Sequence, residues 1–217
     1  ARLHILKIQR FRALWRRIGA GSDAAALHRE LIARYAEPWR HYHAISHIAE
    51  CLKELDRVRD EAARPDELEV AIWFHDAVYI PGRPDNEEAS AALAEQALAM
   101  GGVEPAVRER VRSLVLATRH TATPHGTDAR LLADIDLVIL GADPYRFGIY
   151  DRDIRREFHT LSDADYRSGR AAVLRWFLAR PSIYHTDLFR ERYEAAARAN
   201  ITAAVAALER LPAAASD

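Results

Sequence analysis

Val70-Ala71-Ile72-Trp73-Phe74-His75-Asp76-Ala77-Val78-Tyr79 is the stretch on which the reading of this chain turns. Eight of these ten residues are apolar, so a helix built from them is buried on most sides. A histidine and an aspartate stand side by side within it. Leu131-Leu132-Ala133-Asp134-Ile135-Asp136-Leu137-Val138-Ile139-Leu140 breaks the ordinary rule for a core segment in the same way. A buried carboxylate is costly unless it is paired or bound to a metal. At 3.6 residues per turn the two aspartates lie about 200° apart. One of them should therefore face inward, while the other is free to face solvent.

The sequence around these segments reads as helix almost throughout. Ala, Leu, Arg and Glu dominate, all of them favourable to helix, and no stretch alternates with period two. Gly19-Ala20-Gly21 stops a first helix, and Ser22-Asp23 caps a second. Glu37-Pro38-Trp39 interrupts the pattern, because the residue before proline is pushed out of helical space; Trp39 is expected in the core. A third helix is expected from about Ile45 to Ala62, and a fourth from Pro65 to near Tyr79. A fifth follows Asp85-Asn86-Glu87-Glu88, with acids where the helix dipole favours them. Gly101-Gly102 separates it from a sixth at about 105–119, and a seventh runs from Thr127 to Gly141. Asp143-Pro144 opens an eighth, which Gly148 can break. Ser162-Asp163 and Thr186-Asp187 cap two last long helices. The fold class expected is all-α. All 217 residues are assigned to one helical domain, and the tail Ala213 to Asp217 is expected to fray.

Composition narrows the function classes. Lys and Arg number 31 and Asp and Glu 32, for a net charge of -1. That balance removes the usual argument for binding a nucleic-acid polymer. A local patch from Arg10, Arg12, Arg16 and Arg17 is conceivable, but on a helix these spread over more than one face. No run approaches the ~20 apolar residues of a membrane span. Ala1 to Arg17 interleaves its charges with Leu and Ile, unlike a signal peptide, and is read as a helix of the folded protein. Cys51 is the only cysteine, which excludes an internal disulfide and fits a reducing compartment; the cytoplasm is the expected location.

His47, in Tyr42-His43-Ala44-Ile45-Ser46-His47-Ile48, completes a group with His75, Asp76 and Asp136. Neutral imidazoles and carboxylates suit Zn, Mn or Fe, with no cysteine competing. Helical bundles build such sites from inward-facing side chains of neighbouring helices.

The order His, then His-Asp, then Asp resembles the HD-domain superfamily of metal-dependent phosphohydrolases. His47, His75, Asp76 and Asp136 match its four signature positions. Ala133-Asp134-Ile135-Asp136-Leu137 is similar to its closing motif, in which the second aspartate is the ligand. Arg40-His41-Tyr42-His43, Trp73-Phe74-His75-Asp76, Asp85-Asn86-Glu87 and Ile183-Tyr184-His185-Thr186 look like a bacterial branch named only as predicted HD phosphohydrolases. The resemblance implies an HD-type helical bundle with its core at about 36–141 and C-terminal helices at 143–211 packed on it. It also implies a divalent ion (Mn, Co, Ni, Mg, Zn or Fe) and attack of an activated water on a small phosphorylated metabolite, most plausibly a nucleotide. A paired-metal oxygenase and a non-catalytic nucleotide-binding module are the alternatives. A homodimer is left open.

The chain departs from the family's better-known members at one place. Relatives that cleave nucleoside monophosphates carry a glutamate three residues after the His-Asp pair, and hydrolases of guanosine tetraphosphate an acidic pair near it. Here Tyr79 and Ile80 stand there. Asp76 is implied in catalysis as well as in the metal set. Asp85 and Glu87 are the next carboxylates, and either assists catalysis or caps the fifth helix. His120 is a candidate neighbour of metal or substrate, and His125 a surface residue. Arg40, His43, Arg83 and Arg119 are candidate phosphate contacts, because guanidinium forks match phosphate oxygens.

Overall fold

The computed structural model describes residues 5–210. The first four residues, His4 among them, and the alanine-rich end lie outside the described residues. Ten α-helices and no strand are present among those described, as the composition and missing alternation predict. The chain divides into two compact units, one through Asp136 and one from Leu137.

The first unit holds seven helices: α1 (Ile8–Arg17), α2 (Ala24–Tyr35), α3 (Ile45–Val58), α4 (Pro65–Phe74), α5 (Asn86–Met100), α6 (Pro105–Ala117) and α7 (Thr127–Asp136). The Asp23 carboxylate accepts the Ala25 and Ala26 amides and so caps α2. Helix α4 is the centre, packing against α1, α3, α5, α6 and α7. Leu68 and every residue from Val70 to Phe74 are inaccessible to solvent. Burial of Trp73 or Phe74 stabilises the unit by roughly 2–3 kcal/mol each. Glu69, on the same helix, is also buried, and its carboxylate meets Arg10 at 2.6 Å and Arg59 at 2.7 Å. Two guanidinium partners offset the cost of taking that charge out of water.

Helix α4 ends earlier than its apolar run suggests, at Phe74 and not near Tyr79. His75 and Asp76 therefore leave the helix at its C-terminal end. The cause lies outside the segment. The Tyr35 hydroxyl donates to the Trp73 carbonyl at 3.0 Å. The buried Arg40 guanidinium donates to the carbonyls of Asp76 at 2.6 Å and Ala77 at 3.1 Å. Side chains from elsewhere thus take the carbonyls that a continuing helix would use. Trp39 is the other departure: it lies outside any helix, is 39% exposed, and donates its indole N–H to the Tyr79 carbonyl. The proline break puts it in a turn, and a turn keeps it at the surface.

The second unit holds α8 (Pro144–Glu157), α9 (Asp163–Ala179) and α10 (Asp187–Glu209) after a 3₁₀ turn, Leu137–Gly141. That turn replaces the continuous helix expected to Gly141. It is fixed by polar bonds from within the unit. The Asn200 amide donates to the Leu140 and Ala142 carbonyls, and the Tyr184 hydroxyl to the Leu137 carbonyl. A Cβ at Gly141 would fall 2.7 Å from that of Tyr193, so only glycine fits. Gly148 does not break α8. Ser162 and Thr186 cap α9 and α10 as expected. Buried Ile183 and Tyr184 anchor the segment before α10, where their amides donate to Glu194.

Candidate metal centre

Three segments bring four side chains to one point. Helix α3 supplies His47 from its first turn, the end of α4 supplies His75 and Asp76, and the last residue of α7 supplies Asp136. His47 Nε2 lies 3.2 Å from His75 Nε2 and 3.0 Å from Asp136 Oδ1. Asp136 Oδ1 is 3.5 Å from His75 Nε2. Asp76 Oδ2 is 3.1 Å from His75 Nε2 and 3.7 Å from His47 Nε2. One donor atom each from His47, His75 and Asp136 lies within 4.8 Å of the others, an arrangement that can hold a metal ion.

The tautomer of His75 suits that role. Its Nδ1 lies 2.9 Å from the Ile72 carbonyl, which can only accept. Nδ1 therefore carries a proton, and Nε2 is the nitrogen that faces the cluster, able to bind a cation in exchange for its own proton. Both imidazoles are buried and the carboxylates are mostly so. Burial lowers the proton affinity of His75, but the Asp76 and Asp136 carboxylates outweigh it and hold the imidazole well above its ordinary pKa. Burial likewise opposes charge on the two aspartates, and the surrounding histidines win, keeping both carboxyls below the usual carboxylate range. A cation is what this set of two imidazoles and two carboxylates accommodates.

His120 joins from the turn after α6. Its Nε2 lies 2.8 Å from Asp136 Oδ2, the oxygen that His47 does not contact. It is also the only residue other than glycine with positive φ among the described residues, at 57°. Glu87, on the first turn of α5, is half-buried; burial and the Asp76 charge push its carboxyl up. Asp85 behaves differently. It is exposed, pairs with Arg83, and makes no side-chain cap to α5. His43 stacks on Tyr79, centroids 4.2 Å apart, and its ring is 6.1 Å from that of His47. Arg119 pairs with Glu88 at 2.7 Å and is partly exposed. His125 is exposed on its loop.

Asp134 and Asp136 are both drawn in, Asp134 completely and Asp136 for the most part. Helix α7 packs on α3, α4 and α6, so no side of its end is open enough. Asp134 is fully buried, and Asp136 is the one whose oxygens lie against His47, His75 and His120. Two neighbours escaped the sequence reading. Cys51 Sγ lies 3.7 Å from His47 Nε2; the available signal was its i+4 spacing on α3. Tyr35, whose hydroxyl helps end α4, carried no local signal.

The place of Arg40 is that of a clamp. Besides the two carbonyls after His75, its guanidinium reaches the His43 carbonyl at 3.0 Å and Glu37 at 2.9 Å. It also lies between the Tyr35 and Tyr79 rings. All of this leaves the group turned to the backbone, and no donor face is presented to an incoming phosphate. Arg40→Met is expected to cost about 3 kcal/mol, since buried carbonyls lose a charged donor. The melting temperature should then fall by about 6–12 °C, measured by calorimetry. A change under about 2 °C would show that the clamp bears no load.

No family model, curated protein or solved structure matches this chain. No helix among the described residues is long and apolar enough to cross a membrane.

Proposed function

We infer that the chain is a metal-dependent phosphohydrolase of the HD type, acting on a small phosphorylated metabolite such as a nucleotide. The observation that carries this is the meeting of His47, His75, Asp76 and Asp136, from three separated segments, around one point. A divalent cation bound there would acidify a coordinated water and polarise a phosphoryl oxygen. The protein's own groups do the rest. Asp136 divides its two oxygens between His47 and His120, which fixes its orientation. Asp76 adds a second carboxylate on the His75 side. Glu87 holds its proton to higher pH than an exposed glutamate, and so suits delivery of that proton to the leaving oxygen. Arg119, partly exposed beside Glu88, supplies positive charge at the rim.

The test is hydrolysis of a panel of nucleoside monophosphates, sugar phosphates and aryl phosphates, with Mn, Co, Ni, Mg, Zn and Fe(II) each added to chelator-treated protein. Phosphate release that requires one of these ions and disappears in His75→Ala is expected. Absence of release from every compound with every ion, in protein that binds the ion, would refute the reading. A second reading, paired-metal oxygen activation, draws on the His120 contact to the far oxygen of Asp136. Two iron ions per chain after purification without chelator would favour it over hydrolysis.

A further inference from the structure

Helix α1 carries four arginines, and the fold sorts them into two pairs. Arg10 turns to Asp56 and the buried Glu69, and Arg17 to Asp66. Arg12 and Arg16 are exposed and project elsewhere, into a groove of about 450 Å³ between α1 and the turn leading to α2. Neither hydrogen-bonds nor ion-pairs with any described residue. They stand at i and i+4 without an intervening acid, an arrangement in which like charges repel. An anion lying between them would convert that repulsion into two attractions.

The groove walls are built for such an anion. No acidic residue lines it. Asp23, outside the lining, accepts the Ala25 and Ala26 amides, and those two bonds, with smaller contributions from the Arg29 and Arg12 charges, keep its pKa low. The Gln9 side chain adds amide donors to the lining. Ser22 adds a hydroxyl: its oxygen accepts from the Trp15 indole N–H at 3.1 Å. Its own hydrogen is taken by no described acceptor, so it is available to a ligand in the groove. Two guanidinium forks, an amide and a hydroxyl form the donor set that phosphate oxygens call for. The volume exceeds what a bare phosphate fills and suits a phosphorylated small molecule.

We propose that this groove is a second ligand site, separate from the metal centre, which binds the phosphate group of a small phosphorylated molecule through Arg12, Arg16, Gln9 and Ser22. Aromatic rings lie between the groove and the segment that carries His75. Trp15, in its wall, stacks on Phe11, centroids 5.6 Å apart. Phe11 meets the Trp73 ring edge-on at 5.2 Å, two residues before His75. The site does not depend on the chain being a phosphohydrolase.

Calorimetric titration of the metal-free protein with inorganic phosphate, tripolyphosphate and adenosine monophosphate tests it. Wild type, Arg12→Glu/Arg16→Glu and Asp136→Asn are compared. Binding of at least one probe is expected in wild type, unchanged in Asp136→Asn and weakened about tenfold or more in the arginine variant. Tighter binding of adenosine monophosphate than of phosphate would identify a nucleotide as the source of the phosphate group. The reverse order would point to the phosphate group alone. Equal binding in the arginine variant and wild type would overturn the proposal. So would loss of binding in Asp136→Asn, or no measurable heat with any probe.

Discussion

Asp136→Ala is expected to leave the purified protein with almost no bound metal, whereas Asp134→Ala retains it. The two residues are separated by one position, and geometry divides their roles. Asp136 Oδ1 is the atom that His47 and His75 both approach, at 3.0 and 3.5 Å. Its removal takes away the only donor that α7 gives to the cluster. Loss of a direct ligand should weaken binding at least as much as the 10- to 100-fold typical of residues one shell further out. Asp134→Ala should instead destabilise the fold, because that side chain is fully buried. Metal content by plasma mass spectrometry, with melting temperatures for each variant, separates the outcomes. Equal metal loss in the two variants, both folded, would show that Asp136 has no special place.

Glu87→Gln should cut turnover by about 10²–10⁴-fold while leaving metal content intact. Asp85→Asn should change turnover by less than twofold. The contrast rests on where the start of α5 puts each group. Glu87 is half-buried and feels the Asp76 charge, which together raise its proton affinity. Asp85 faces solvent with Arg83, which holds its carboxyl below the ordinary range. A proton donor at neutral pH needs the first condition and not the second. Steady-state kinetics on the phosphate ester that serves best decides it. Full turnover in Glu87→Gln would remove that residue from the chemistry.

The all-helical class was legible because it is written locally: strong helix formers, capping residues and Gly or Pro at breaks agree along the whole chain. The helix starts at Ile45, Pro65, Asn86 and Thr127 fell within a residue or two of expectation. The ends were harder. Helix α4 stops at Phe74 because Tyr35 binds the Trp73 carbonyl near its end and Arg40 binds the Asp76 and Ala77 carbonyls just beyond it, both from more than thirty residues upstream. No property of residues 70–79 announces that. The His75-Asp76 pair and the two aspartates of residues 131–140 stood out because ionisable groups are rare in apolar runs; the choice of Asp136 over Asp134 rested on the family resemblance. Which arginines turn toward the backbone, and which toward a groove, depends on the neighbours that the fold supplies. Arg40 was expected at phosphate and is a clamp. Arg12 and Arg16 looked like ordinary surface charges and share a groove.

The backbone at His120 carries a consequence for how this protein can change over generations. A φ of 57° is free of strain for glycine, and histidine, with asparagine and aspartate, is among the few other residues that adopt it readily. Glycine would hold the same turn and lose the contact with Asp136. The side chain at position 120 is therefore tied to the centre and not to the turn. In a lineage released from the need for this centre, the backbone would place no obstacle to glycine there.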